Sequence, residues 1–188
     1  MRQAIRVPAE VRTERLLLRQ WRADDVDALY EIYTQPEFLE TMPALDRDRT
    51  AAQIELFSRR WEEDGFSQWA AEEVDSGRLI GRVGLLRHRD WPLWDSPVEV
   101  GWTLHRDWWG RGLATEGGQA GIDCWREHLS DELLISITLP INLRSQAVMK
   151  RLGMTRRGEA DWPAGYHQVW YALDREPSAD GGAQRAST

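Results

Sequence analysis

Residues 98–104 carry the clearest two-residue alternation in the chain. Val98, Val100, Trp102 and Leu104 fall on one face of a strand, and Glu99, Gly101 and Thr103 on the other. The strand runs through His105-Arg106-Asp107-Trp108-Trp109 into Gly110-Arg111-Gly112, which opens a helix predicted over 112–127 with the small residues Ala114, Gly117, Gly118, Ala120 and Gly121. Strands are predicted also at 15–20, 66–74, 79–87, 133–139, 154–157 and 166–173, the second and third joined by a hairpin turn at Asp75-Ser76-Gly77-Arg78. One helix follows Asp24-Asp25, with Val26, Leu29, Tyr30 and Tyr33 on one face, and Pro36 ends its pattern. Another begins near Thr50 with Ile54, Phe57 and Trp61 on one face, and a third spans 143–152 and closes at Gly153. The order β-α-α-β-β-β-α-β-α-β-β describes an α/β chain that begins with an antiparallel meander and packs helices on a sheet.

At 188 residues the chain fits one domain with a buried core. Hydrophobic residues at 41% and charged residues at 29% exclude collagen-like, largely disordered and disulfide-rich classes. No apolar run approaches the roughly 18 residues of a membrane span. The first eight residues lack the apolar core of a signal peptide, so a cytoplasmic protein without membrane partners is expected. A net charge of -7 argues against a general nucleic-acid binder and suits basic partners. Cys124 is the single cysteine, which excludes an intrachain disulfide. The four histidines (His88, His105, His128, His167) lack metal-ligand spacing, so no metal is expected. Eleven tryptophans exceed what a core of this size needs, and the surplus makes a homodimer a reasonable expectation. The stretch from Pro177 to Thr188 is small and polar and reads as a disordered tail.

Three pieces carry chemistry. Gly110 and Gly112 sit at a helix N-terminus, where unpaired N–H groups and the helix dipole favour an anion, and Arg111 adds a cation; a plain tight turn explains the glycines equally well. No Gly-Lys-Ser/Thr follows, which excludes a Walker A loop, and the third glycine of a dinucleotide fingerprint is misplaced. Glu99 emerges mid-strand near that helix end; partial desolvation would move a carboxylate there toward general-base range, and an ion pair with one of the many arginines is the competing reading. Asn142 is a natural N-cap. Ser145 shares a helical face with Val148, Met149 and Leu152, so its hydroxyl meets either a ligand or the helix's own backbone.

Together the pieces resemble the GNAT N-acetyltransferase superfamily, and within it the branch of ribosomal-protein N-terminal acetyltransferases. The resemblance rests on Thr13-Glu14-Arg15-Leu16-Leu17-Leu18-Arg19, Glu99-Val100-Gly101-Trp102, Trp109-Gly110-Arg111-Gly112-Leu113-Ala114-Thr115-Glu116, and Asn142 with Ser145 and Leu152-Gly153-Met154. It implies an acyl-CoA N-acyltransferase fold: a mixed, mainly antiparallel sheet of about seven strands flanked by about four helices. The domain would span 12–174, between an N-terminal extension (1–11) and a tail (175–188). It also implies acetyl-CoA as co-substrate and an amine as acceptor. Residues Trp109, Gly110, Arg111, Gly112, Leu113, Ala114 and Thr115 would then form the diphosphate cradle. The main chain of Trp102 and Leu104, with Asn142, would hold the pantetheine arm, and Glu99 matches the general-base position. Many members carry a tyrosine acid where this chain has Met149. Methionine donates no proton, which leaves Ser145 as the candidate replacement.

The implied reaction is direct attack by the amine in a ternary complex. Cys124, mid-helix on the apolar face, is a poor nucleophile for an acyl-enzyme route. Deprotonation at pH 7 costs about 1 kcal/mol for an α-amine and about 4.6 for a lysine, so an N-terminal α-amine asks less of Glu99. Phe38, Met42, Trp91, Trp94, Trp162 and Tyr166 are candidate pocket walls, and Glu37, Glu40, Asp46 and Asp48 either attract a cationic substrate or are simply solvated. Two other readings stand beside a peptide acceptor: a small amine such as an antibiotic or polyamine, and a catalytically silent CoA-binding domain.

Overall fold

A computed structural model describes residues 6–163 and 165–175. Its strands are β1 (Val11–Arg12), β2 (Leu16–Arg19), β3 (Gln68–Glu73), β4 (Leu79–Arg87), β5 (Val98–Leu104), β6 (Leu133–Thr138), β7 (Thr155–Asp161) and β8 (His167–Asp174). Its helices are α1 (Val26–Tyr33), α2 (Pro36–Leu39), α3 (Arg47–Asp64), α4 (Leu113–His128) and α5 (Leu143–Arg151). The element order matches the sequence reading, with two short additions, β1 and α2. Pro36 does follow the end of α1, but it also occupies the first turn of α2, where a missing N–H costs nothing. Helix α3 starts at Arg47, ahead of the expected Thr50, because the Asp46 carboxylate accepts the Arg49 N–H and caps the helix. The expected tail from residue 176 onward and the first five residues lie outside the described residues. Arg175, assigned to that tail, belongs to the domain: its guanidinium donates to the carbonyls of Trp125, Arg126 and Leu129 and closes the C-terminus of α4.

The eight strands form one sheet in the order β1-β2-β3-β4-β5-β6-β8-β7. All neighbours are antiparallel except β5 and β6, whose parallel pairing requires the crossover that α4 supplies. That pairing is short. It covers only Val98↔Leu134 and Glu99↔Ile135, after which the two strands part. Helix α4 lies close on one face: a Cβ on Gly117 would come within 3.0 Å of Val83, and one on Gly121 within 3.0 Å of Val100. The main core gathers there, around Leu16, Val83, Leu85, Val100, Trp125 and Met149. On the opposite face α1 approaches β4, where Tyr33 meets Arg82, and α1, α2 and α3 bury a second cluster of Leu29, Ile32, Tyr33, Phe38 and Ile54. Among the described residues no helix is long and apolar enough to cross a membrane.

The first sequence motif holds two joints of this structure. At its head, the Glu116 carboxylate accepts from the Thr13 hydroxyl (2.6 Å), the Arg15 N–H (2.8 Å) and the Arg15 guanidinium (2.7 Å). Arg15 also donates to the Arg111 carbonyl at 2.7 Å, which ties β2 to the glycine turn. At its tail, buried Arg19 makes a bidentate pair with Asp25 (2.7 and 2.8 Å) and bonds Glu72, fixing the start of α1 on the sheet.

Candidate active site

The parting of β5 from β6 opens a cleft of about 1070 Å³. Its floor follows from strand register. The His105 N–H donates to the Ile80 carbonyl, so by antiparallel alternation the main-chain groups of Trp102 and Leu104 point away from β4, into the gap. These are the main-chain groups that the resemblance assigns to a pantetheine arm. One detail differs: the Leu104 carbonyl already accepts from the Trp109 indole at 2.8 Å, which leaves the Leu104 N–H and both groups of Trp102.

Gly110 (φ 75°) and Gly112 (φ 81°) adopt left-handed backbone, and Gly112 is the N-cap of α4. Among the described residues, none of the six consecutive N–H groups from Gly110 to Thr115 donates to a protein acceptor. The carbonyl of Gly112 takes its helical bond from Glu116 instead. Six free donors around a helix N-terminus make an anion site and fit a diphosphate. The Arg111 side chain departs from expectation: it leans over the Trp108 ring, 5.8 Å from its centroid, and does not line the cleft. Arg144 and Arg151 line it instead, Arg144 lying over the Trp109 ring at 4.5 Å.

Glu99 sits at the last paired position before the strands part, on the face away from α4. Its partner is not an arginine. The Nε2 of His88 lies 2.6 Å from Oε2 of Glu99, and both side chains are largely buried. His88 follows the last residue of β4 and is held by its N–H to the Pro97 carbonyl and by an edge-on contact with Trp162 at 4.6 Å. No spacing signal marks His88 in the sequence: eleven residues and a Trp- and Pro-rich loop separate it from Glu99, and only the β4–β5 register joins them.

Across the gap, Asn142 caps α5 through its carbonyl oxygen, which accepts the Ser145 N–H at 3.1 Å. The Ser145 hydroxyl makes no bond back to its helix or to any other described residue, and the side chain lines the cleft. Met149 does not line it; it is fully buried in the main core. Of the expected pocket walls, Phe38, Met42, Trp162 and Tyr166 line the cleft. Trp91 and Trp94 instead stack edge-on with Trp162 and Trp170 beside it. Cys124 is buried, and burial, helped by Asp123 and Glu127, pushes its thiol up to about 11. The acidic residues read as possible attractors of a cation are mostly engaged: Glu37 pairs with Arg106, Glu40 with Arg144 at 3.1 Å, and Asp46 caps α3.

Comparison with known proteins agrees with this geometry. The family model described as an acetyltransferase (GNAT) domain matches residues 15–155. The Bacillus subtilis protein YnaD, an N-acetyltransferase by name, is 24% identical over 148 residues, covering 79% of this chain and 84% of its own. The crystal structure of an acetyltransferase from Agrobacterium tumefaciens superposes with a TM-score of 0.76 at 26% identity, covering 88% of this chain and 94% of that one. RimL, a ribosomal-protein α-N-acetyltransferase solved in complex with coenzyme A, has the same fold, with a TM-score of 0.69 at 14% identity over 89% of this chain and 97% of its own.

Proposed function

The chain belongs to the GNAT family of N-acetyltransferases, and on that premise we propose that it acetylates a peptide N-terminal α-amine by direct attack, with Glu99 as the base. The observation that carries this reading is the placement of Glu99 at the fork of β5 and β6, on the same cleft as the six free N–H groups. When bound, acetyl-CoA supplies a thioester whose acyl group passes to the amine.

The chain's own groups do the rest. The N–H groups from Gly110 to Thr115 hold the diphosphate, and the open main-chain groups of Trp102 with Asn142 align the arm in the gap. Glu99 takes the proton that the ammonium must lose, and the bonded His88 fixes the carboxylate's orientation. The Ser145 hydroxyl, without a partner among the described residues, donates a hydrogen bond to the departing sulfur, which takes the second proton that the amine loses on becoming an amide. Burial and a raised pKa keep Cys124 out of the reaction.

An α-amine acceptor agrees with the small deprotonation cost set out above and with the likeness to RimL. The test joins a calorimetric titration with acetyl-CoA to thiol release with α-amino peptides, polyamines and aminoglycosides. Saturable one-to-one binding and release with peptides are the expected result. Release only with small amines would move the acceptor to that class, and binding without release would mark a silent CoA-binding domain.

A further inference from the structure

Besides the histidine, the cleft is lined by five charged side chains, Glu37, Arg82, Glu99, Arg144 and Arg151, of which Arg144 pairs with Glu40 and Arg82 shares the sheet face of Glu99. Glu37 pairs with Arg106, and Glu99 bonds His88. Arg82 has no carboxylate within ion-pair distance among the described residues. Its neighbours are neutral. Nε donates to the Tyr33 hydroxyl at 2.9 Å, Nη1 donates to the Gln68 side-chain carbonyl at 3.1 Å, and the Phe57 ring lies 5.8 Å from the guanidinium. The Tyr33 hydroxyl donates onward to Gln53, and burial raises the pKa of its phenol, so it supplies no negative charge. Nη2 has no protein partner among the described residues.

A guanidinium steered by three neutral groups, half-buried against a cleft and lacking a counter-ion, is a prepared anion site. Leaving it unpaired when the cleft is filled and dried would carry an uncompensated desolvation penalty. From this placement we propose that the acceptor carries an anionic group, a carboxylate or a phosphate, which binds Arg82 while its amine lies at Glu99. The proposal deepens the acetyltransferase reading above and rests on it.

Strand register gives the spacing. Arg82 stands opposite Thr103, and Leu86 opposite Glu99, so Arg82 and Glu99 share one face of the sheet. Their positions differ by four residues along the strands, about 13 Å at the usual rise. Gly101 between them bears no side chain, and the Gln68 amide and the Glu99 carboxylate lie over it: a Cβ there would stand 3.3 Å from Gln68 Nε2 and 3.5 Å from Glu99 Oε1. Once both side chains lean inward, the gap corresponds to one or two extended residues at about 3.4 Å each. An acidic side chain at the second or third position of a peptide fits, as does a short ω-amino acid. The charge preference is thus opposite to the one that the net charge of -7 suggests.

The test compares kcat/KM for Ala-Glu-Gly-amide, Ala-Gln-Gly-amide and the phosphoserine analogue, and for 6-aminohexanoate against its amide. The peptide pair and the small-acid pair distinguish a macromolecular from a free source of the anion. The parent protein is expected to prefer an acid over its amide at least tenfold, mainly in KM. In R82Q that ratio should fall to near one, and R82K should keep part of it. A ratio unchanged by R82Q in a variant that melts like the parent would overturn the proposal. Weakened acetyl-CoA binding in R82Q with the acid preference intact would also overturn it, assigning Arg82 to the coenzyme's phosphates. If no amine is acetylated, calorimetry of CoA-saturated protein with Ala-Glu-Gly-amide and its Gln analogue still decides: Arg82-dependent binding of the acid upholds the anion site while the acetyltransferase reading fails, and its absence overturns the site.

Discussion

His88 and Glu99 are joined side chain to side chain at 2.6 Å across the β4–β5 pair, at the point where β5 leaves β6. On the proposed reading, this contact makes the base a pair of residues. Glu99→Gln keeps the shape and removes the proton acceptor, and turnover is expected to fall about 100-fold, as for loss of a general base. Acetyl-CoA affinity, read by calorimetry, should stay close to that of the parent. His88→Gln should cost less, about tenfold, with both variants read across the pH–rate profile. Equal turnover of the Glu99 variant across that profile would remove the base role.

Gly112 sits at φ 81°, and a Cβ there would lie 3.6 Å from the nearest atom, an ordinary contact with Arg15. Space is therefore not the constraint; backbone conformation is. Gly112→Ala is expected to destabilise by about 1 kcal/mol and to weaken acetyl-CoA binding about tenfold as the turn shifts its N–H groups. Gly112→Asn, which tolerates the left-handed region, should recover part of both losses. Thermal melts and calorimetry read the two effects, and equal behaviour of Ala and Asn would count against the conformational account.

Glu116 holds the glycine turn to β2. Burial would raise its pKa, but the Thr13 hydroxyl, the Arg15 N–H and the Arg15 guanidinium outweigh that and hold the carboxyl below its ordinary 4.5. A depressed carboxylate stabilises the folded state fully above its unfolded value. That contribution disappears as pH falls through the lowered folded value. The parent should therefore lose more stability between pH 5 and 3 than Glu116→Gln, which is less stable at neutral pH but flatter. Parallel melting curves for the two proteins over that range would show that the latch contributes nothing.

Cys124 is buried with its thiol pushed up to about 11, so almost none of it is thiolate near neutrality. Cys124→Ala is expected to turn over within about twofold of the parent, and iodoacetamide should label the folded protein only slowly at pH 8. Loss of turnover in a stable Cys124→Ala protein would restore the acyl-enzyme route.

The Ser145 hydroxyl lines the cleft without a partner among the described residues. Ser145→Ala should lower kcat about tenfold while leaving acetyl-CoA affinity near that of the parent, the signature of an interaction made only as the thiolate departs. A change confined to affinity would make Ser145 a coenzyme contact instead.

Much of the site was readable because its signals are local. The alternation at 98–104 placed Glu99 opposite the α4 face, Gly110 and Gly112 marked the turn, and Asn142 marked the start of α5. Arg111 misled because a cation beside two glycines reads as a phosphate ligand, whereas its side chain follows the Trp108 ring. Trp91 and Trp94 misled because an indole in a loop reads the same whether it faces a cleft or a neighbouring tryptophan.

The sequence by itself determined the order of elements, the position of the glycine turn before α4, and the face on which Glu99 stands. Each depends on backbone preferences and periodicities that operate within a few residues. Tertiary structure alone decided that Glu99 meets His88 rather than an arginine, that Glu116 locks onto Thr13 and Arg15, and that Arg82 enters the cleft without a counter-ion among the described residues. Charged and polar side chains choose partners by strand register and loop path over long sequence separations. In a chain with this many arginines and carboxylates, composition offers dozens of pairings, and packing leaves one.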